Sequence, residues 1–262
     1  MNKKVVPETL YQFDKSHRIL QNIRSCEIFF GSPKHFNDPF DSKIHPLRGD
    51  KKPQLPIGYH HNQVEGIIGA VNNVRLSCFT IPPKGAEFPE NSLMWSHYAA
   101  SHTGACLKYN GPVLCEPFDV HDPVEYFPSK SQKHPEISLE EWPVKTDDYE
   151  KRRGIIHKML FSKSKIWDRE NEYRIFLSPV KPDTEYPNMR EVYNDKGVTI
   201  GALYKYKPKT LEAVYWGVNA TPDVIEESVR ISRGLPNPID IYKMNKIDYT
   251  FDLKPILQPL DD

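Results

Sequence analysis

The stretch LEAVYWGVNATPDVIEESVRISRGLPNPIDIYKM, residues 211–244, decides the fold. Leu211 to Val218 is apolar on both alternating faces, as a strand buried in the middle of a sheet must be. Thr221-Pro222-Asp223 then starts a helix. Thr sits at the N-cap, Pro at the first helical position where its missing N–H is not needed, and Asp in the first turn. Gly234 ends that helix. Ile239 to Met244 is a second strand. Strand, helix and strand in this order form a crossover unit, which is right-handed with its strands parallel.

The rest of the chain does not repeat this unit. Leu10, Tyr11 and Phe13 predict a strand, residues 15–24 a short helix with Ile19, Leu20 and Ile23 on one side, and Glu27 to Phe30 a second strand. Residues 60–72 predict a helix, because Val64, Ile67, Ile68 and Val71 fall at i, i+3, i+4 and i+7. Val74 to Thr80 predicts a strand, residues 92–101 a helix closed by Gly104, and Ala105 to Tyr109 a strand. Thr146 caps a predicted helix over 147–162 whose apolar side carries Tyr149, Ile156, Met159 and Leu160. Tyr173 to Leu177 is a strand, and Tyr249, Phe251 and Leu253 alternate like a last one. Residues 128–147 and 181–197 are polar and read as loops. No repeat and no linker divides the chain. Helices and strands come in separate groups, so the expectation is a single α+β domain over 1–262: a mixed, largely central β-sheet flanked by short helices.

Bulk composition narrows the classes. The 262 residues can bury a core without disulfide or metal staples. Thirty-five basic residues balance thirty-five acidic ones, so the chain lacks the overall charge of a nucleic-acid or membrane-surface binder. The opening MNKKVVPETLYQF has no apolar stretch after its lysines, and no run approaches the roughly 20 apolar residues of a membrane helix. Cys26, Cys78, Cys106 and Cys115 are scattered with no C-x-x-C pair, which predicts reduced, mostly buried thiols. Together these predict a cytoplasmic protein with no membrane partner. The 24 prolines exceed the ordinary share of about 5% and predict many turns.

Glu170-Asn171-Glu172 is the most suggestive constellation. If the strand ran through it, Glu170, Glu172 and Arg174 would share one face, with Tyr173, Ile175 and Leu177 on the other. Two carboxylates on one face need a cation or a substrate hydroxyl between them, so the bland alternative is a set of surface ion pairs. Trp95, Tyr98 and His102 at i, i+3 and i+7 form an aromatic stripe with a titratable tip. It could stack a nucleobase or nicotinamide ring, with His97 or His102 as a catalytic proton donor or phosphate partner, or it could be a helix packed on the sheet. His97 and His102 lie about 140° apart around a helix, a poor metal pair. Phe36-Asn37-Asp38-Pro39-Phe40-Asp41 is a turn signal in which Asn37 or Asp38 could reach a ligand, but two aspartates are too few for calcium. No metal site is therefore expected. Lys151, Arg152, Arg153, Lys158, Lys163 and Lys165 form either a phosphate clamp or the solvated side of a helix. Gly217 before the Pro222 helix could admit an anion, yet there is no G-x-G-x-x-G and no P-loop.

Four stretches, LYQF (10–13), FNDPFD (36–41), LMWSHYAASHTGACLKY (93–109) and KIWDRENEYRI (165–175), resemble in the same order the bacterial family called domain of unknown function 2971. Val198 to Tyr206 and the strand ending at Gly217 also fit it. That family is defined by sequence, so the resemblance implies no reaction. Some members look like bacterial defence or toxin-associated proteins, which implies an antiphage or toxin setting. More distantly, the chain is similar to ADP-ribosyltransferases: an aromatic first strand, a middle strand ending Ser77-Cys78-Phe79-Thr80, then E-x-E. It departs from them in having no His or Arg at Tyr11 to Phe13 and no Ser-Thr-Ser. This resemblance implies NAD as a substrate, with Glu172 as the carboxylate that hydrogen-bonds the nicotinamide ribose and Glu170 as its helper. Trp95, Tyr98 and His97 would wall the pocket, Tyr11 would line it, and Asn37, Asp38, His102 and Arg174 would be further ligand contacts. The acceptor, protein or nucleic acid, is not named by the residues. The rival readings are a non-catalytic module that binds a small nucleotide or a partner, and a structural partner with no small ligand.

Overall fold

The computed structural model describes residues 5–35, 71, 74–127, 149–177, 186–250 and 252–259. Its strands in chain order are β1 (Thr9–Asp14), β2 (Glu27–Gly31), β3 (Arg75–Thr80), β4 (Ala105–Asn110), β5 (Val120–Pro123), β6 (Glu125–Phe127) and β7 (Ser162–Ser164). Then come β8 (Glu172–Leu177), β9 (Met189–Tyr193), β10 (Thr199–Lys205), β11 (Leu211–Trp216), β12 (Asp240–Lys246) and β13 (Leu253–Leu257). The helices are α1 (Ser16–Ser25), α2 (Ser92–His97), α3 (Gly111–Cys115), α4 (Tyr149–Leu160) and α5 (Pro222–Arg233).

Eleven strands make one mixed sheet in the order β13-β12-β11-β4-β1-β3-β2-β10-β9, with β8 and then β5 added beside β3. The short strands β6 and β7 pair separately, in parallel. Strand β3 is a branch point. It pairs with β8 along its length, from Arg75 opposite Leu177 to Thr80 opposite Glu172. It also meets β1 at Tyr11–Thr80 and β2 at Gly31–Leu76. The predicted crossover unit is present: β11 and β12 are parallel neighbours joined through α5. Pro222 stands in the first helical turn as expected, although Thr221 makes no side-chain cap bond. The Trp216 indole donates to Ser228 Oγ at 2.8 Å, fixing α5 to β11 inside the core.

The two sheet faces differ. One carries the main core, which includes Leu10, Phe30, Phe79, Tyr109, Ile175 and Trp216, with Ile19 and Ile23 of α1 and Ile225 and Ile231 of α5 packed on it. The opposite face carries two smaller clusters. Tyr11, Phe13, Met94, Trp95, Cys106 and Tyr215 form one under α2. Leu76, Met159, Leu160 and Phe161 form the other under α4. Because side chains alternate along a strand, Thr80, Cys78, Glu172 and Arg174 also emerge on this second face, between the two clusters.

The α+β expectation holds, with the element bounds shifted. Helix α2 ends at His97, not at 101, because the chain turns through three consecutive left-handed residues, Ala100, Ser101 and His102, at φ 47°, 55° and 67°. The turn lets Gly104 press against the Asp14 carbonyl, where a Cβ would lie 2.2 Å away, and so brings β4 beside β1. The expected 181–197 loop holds edge strand β9, whose alternation is masked by polar residues on both sides. The last strand starts at Leu253 rather than Tyr249, since 248–250 form a turn. Strands β5, β6 and β7 and helix α3 are three to five residues long, too short for periodicity to show, and the seven-residue strand β10 likewise has no counterpart in the sequence reading. The predicted loop at 128–147, Thr146, and all of the predicted 60–72 helix except helical Val71 lie outside the described residues. No described helix is long and apolar enough to cross a membrane.

Candidate functional site

The seam between the two small clusters holds two buried carboxylates and two buried cations. Strand β8 places Glu172 and Arg174 two residues apart, hence on one face. Arg174 donates to Glu172 through Nε (2.7 Å, to Oε1) and Nη2 (3.0 Å, to Oε2), and through Nη1 to the Leu160 carbonyl (2.6 Å). Lys163, from β7, reaches across to Glu172 Oε2 at 3.1 Å and Glu170 Oε2 at 2.5 Å. The Tyr98 hydroxyl donates to Glu170 Oε1 at 2.6 Å. Glu170 is 3% exposed, Glu172 5% and Arg174 0%. Such burial is tolerated because the four charges cancel and are hydrogen-bonded; a lone ion here would be very costly.

Glu170 and Glu172 do not lie on one strand. Glu170 ends a 3₁₀ turn, Lys165–Glu170, and Asn171 follows at φ 44°. The left-handed Asn171 brings Glu170 back toward Lys163, so the carboxylates converge on an ammonium by a turn and not by strand alternation. Their acidities diverge. Burial raises the Glu172 carboxyl, but the Arg174 and Lys163 charges overcome this and hold it at about 2. For Glu170 burial wins over Lys163 and Tyr98, and its carboxyl sits above the ordinary range.

The aromatic stripe is divided. Trp95 is fully buried, edge-on to Phe13 at 5.2 Å, with its indole N–H donated to the Pro89 carbonyl at 2.7 Å. It is core and offers no open platform. His102 is not on the helix, yet its ring stacks on Trp95 with centroids 6.1 Å apart. The Ser96 hydroxyl donates its one proton to the Ser92 carbonyl, so toward His102 Nε2, at 3.3 Å, it accepts. His102 is therefore the Nε2–H tautomer, and its buried Nδ1 is a bare acceptor without a partner among the described residues. Tyr11 is also buried, edge-on to Tyr215. Half-buried Tyr98 and exposed His97 do reach the surface, where His97 lies edge-on to Trp167 at 6.4 Å. Lys163 Nζ lies 5.5 Å from the centre of the Trp167 ring.

Tyr98, Glu170, Glu172 and Arg174 are thus gathered together, with His97 beside them. Tyr11, Trp95 and His102 belong to the neighbouring apolar cluster. Asn37 and Asp38 lie outside the described residues. Within the basic run, Lys158 and Lys165 are exposed but Lys163 is buried and links both glutamates, a role its flanking serines do not announce. Trp167 and Tyr126, whose hydroxyl accepts the Glu172 N–H at 2.8 Å, were also missed. Among the described residues no group of three or more His, Cys, Asp or Glu could hold a metal ion. A hollow of about 260 Å³ beside α5, lined by Ile225, Val229, Arg233 and Pro259 among others, shares no residue with this network.

Residues 94–175 match the profile of a family described as a protein of unknown function, DUF2971. Over that stretch the chain is similar to the family, and the stretch contains Tyr98, Lys163, Glu170, Glu172 and Arg174. The motifs at 10–13 and 36–41 lie outside it. No curated protein and no solved structure matches the chain.

Proposed function

We propose that the chain is a binding module for a nucleotide-like ligand, a flat ring bearing anionic groups. The observation that carries this reading is the split between what is buried and what is offered. Both carboxylates are inside and held by cations, whereas His97, Tyr98 and Trp167 reach the surface with exposed Lys165 and Arg169 on the same 3₁₀ turn as Trp167. Aromatic faces stack bases and cations take phosphates. The buried quartet would hold the turn that presents them.

Titration calorimetry with NAD and AMP tests this at low salt. Binding is expected, weakened about tenfold by Trp167→Ala through loss of one stacking contact. Equal affinity in wild type and Trp167→Ala would dismiss the reading.

A second reading, NAD cleavage or ADP-ribosyl transfer, is favoured by one observation: Glu170 is a carboxyl of raised pKa one hydroxyl away from the surface, through Tyr98. It requires nicotinamide release by the wild type that Glu170→Gln abolishes. The binding-module reading expects no release from either protein.

A further inference from the structure

The loop between β11 and α5 draws three of its carbonyls toward one point. The Gly217, Val218 and Ala220 oxygens lie 2.8, 3.0 and 2.9 Å from the Lys243 ammonium. An ammonium has three donors, and here each meets one carbonyl, so the head group is saturated by backbone alone. Lys243 comes from β12, the parallel neighbour of β11. No carboxylate is among these partners: the charge is balanced by carbonyl dipoles, in the manner of a bound monovalent cation.

The same loop is fixed on its other side to the left-handed turn. Gly217 N–H donates to the Gly104 carbonyl, Asn219 N–H to the His102 carbonyl, and the Asn219 amide to the Ser101 carbonyl, at 2.9, 3.0 and 3.1 Å. A Cβ at Gly217 would lie 2.2 Å from the His102 oxygen, so the two segments touch backbone to backbone. The Gly217 carbonyl also closes a turn by accepting from the Ala220 N–H at 3.0 Å, so the oxygens that face Lys243 are held in place by the fold of the loop itself.

We infer that the Gly217–Ala220 loop is a monovalent-cation site whose resident ion is the tethered ammonium of Lys243. Lys243 is accordingly a positioning residue: it orders the loop, and through the loop the turn that lays His102 on Trp95. The chemistry fits ammonium best and potassium second, because both favour several neutral oxygens near 2.8 Å. Smaller, more strongly hydrated sodium and lithium fit poorly. This inference stands apart from the proposed ligand site and survives its failure.

Truncation with rescue provides the test. Lys243→Ala opens the space the side chain fills; Lys243→Met keeps its bulk and removes its charge. Thermal unfolding of the full chain is followed by circular dichroism in choline chloride, ammonium chloride or methylammonium chloride at equal ionic strength. In choline, both variants are expected to unfold about 2–4 °C below the wild type. Ammonium or methylammonium should restore at least half of that loss in Lys243→Ala. Lys243→Met should not respond, nor should the wild type, whose site is filled. Equal midpoints for Lys243→Ala in all three salts would overturn the inference, as would failure of that variant to fold in any of them. A purely structural lysine would give the loss without the recovery.

Discussion

Arg174 holds both oxygens of Glu172, Nε to Oε1 at 2.7 Å and Nη2 to Oε2 at 3.0 Å, with no part of the arginine open to solvent. Removing one partner of such a pair leaves an uncompensated charge in the interior. Arg174→Met is expected to destabilise the chain by about 3–5 kcal/mol. Adding Glu172→Leu should recover most of that, because an apolar pair in place of a buried ion pair is often neutral or better. Urea unfolding of the two single variants and the double variant measures the coupling. Additive losses would mean that the two groups act independently.

The two glutamates predict opposite pH slopes. Glu172 has its carboxyl at about 2 against 4.5 for the free group, so its contribution is present above 4.5 and lost as pH falls toward about 2. Glu170 is shifted upward, so its native state holds a proton longer than its unfolded state. Its contribution is complete below 4.5 and is lost as pH rises through its native value. Glu170→Gln should therefore remove a decline in stability above pH 4.5 and leave the acid limb in place. Denaturant midpoints taken from pH 2 to 7 would show this; unchanged curvature would contradict the assignment.

His102 predicts a third pH effect. Burial, with the nearby Lys246 charge, lowers its pKa below 6.5, and the bare Nδ1 gives an added proton no acceptor. The unfolded chain then protonates first, so this stability is present above about pH 6.5 and is lost as pH falls. His102→Phe keeps a ring for Trp95 and should flatten the slope between pH 7 and 5. An unaltered slope in that variant would assign it elsewhere.

Ser101 lies exposed at φ 55° in the middle of the left-handed turn. The conformation costs an L-residue roughly 1–2 kcal/mol and costs glycine little. Ser101→Gly should raise stability by up to about 1 kcal/mol, the gain being cut by glycine's freedom when unfolded. Its carbonyl, which accepts from Asn219, is unaffected. Ser101→Val should lose more than 1 kcal/mol. A thermal shift of the wrong sign for glycine would mean that the turn changes path.

Much of the frame was legible because it follows from periodicity and end signals. The β11-α5-β12 unit, α1, and strands β1 to β4 all lie where alternation and the Thr221-Pro222 start put them. The site was legible in composition but not in arrangement. The 170–174 stretch named the acids and Arg174. The convergence depends on Asn171 taking a left-handed φ and on Lys163 leaving the surface, and neither is encoded in local spacing. The Trp95 stripe was read at helical spacing, but the left-handed residues at 100–102 undo that spacing after His97. Ala99 and Ala100 are good helix formers, so the early stop is a tertiary effect: Gly104 presses against the Asp14 carbonyl, and Gly217 and Asn219 bond the Gly104, His102 and Ser101 carbonyls.

The pairing of Thr80 with Glu172 and Cys78 with Arg174 has a consequence for how the chain reaches this state. A slip of β8 by one position would rotate both charged side chains onto the oily side and carry Tyr173 and Ile175 out of it. Lys163 and Glu170 would at the same moment lose their counterparts. A one-residue misalignment of this strand is thus heavily penalised, and the ionic quartet acts as a check on its alignment.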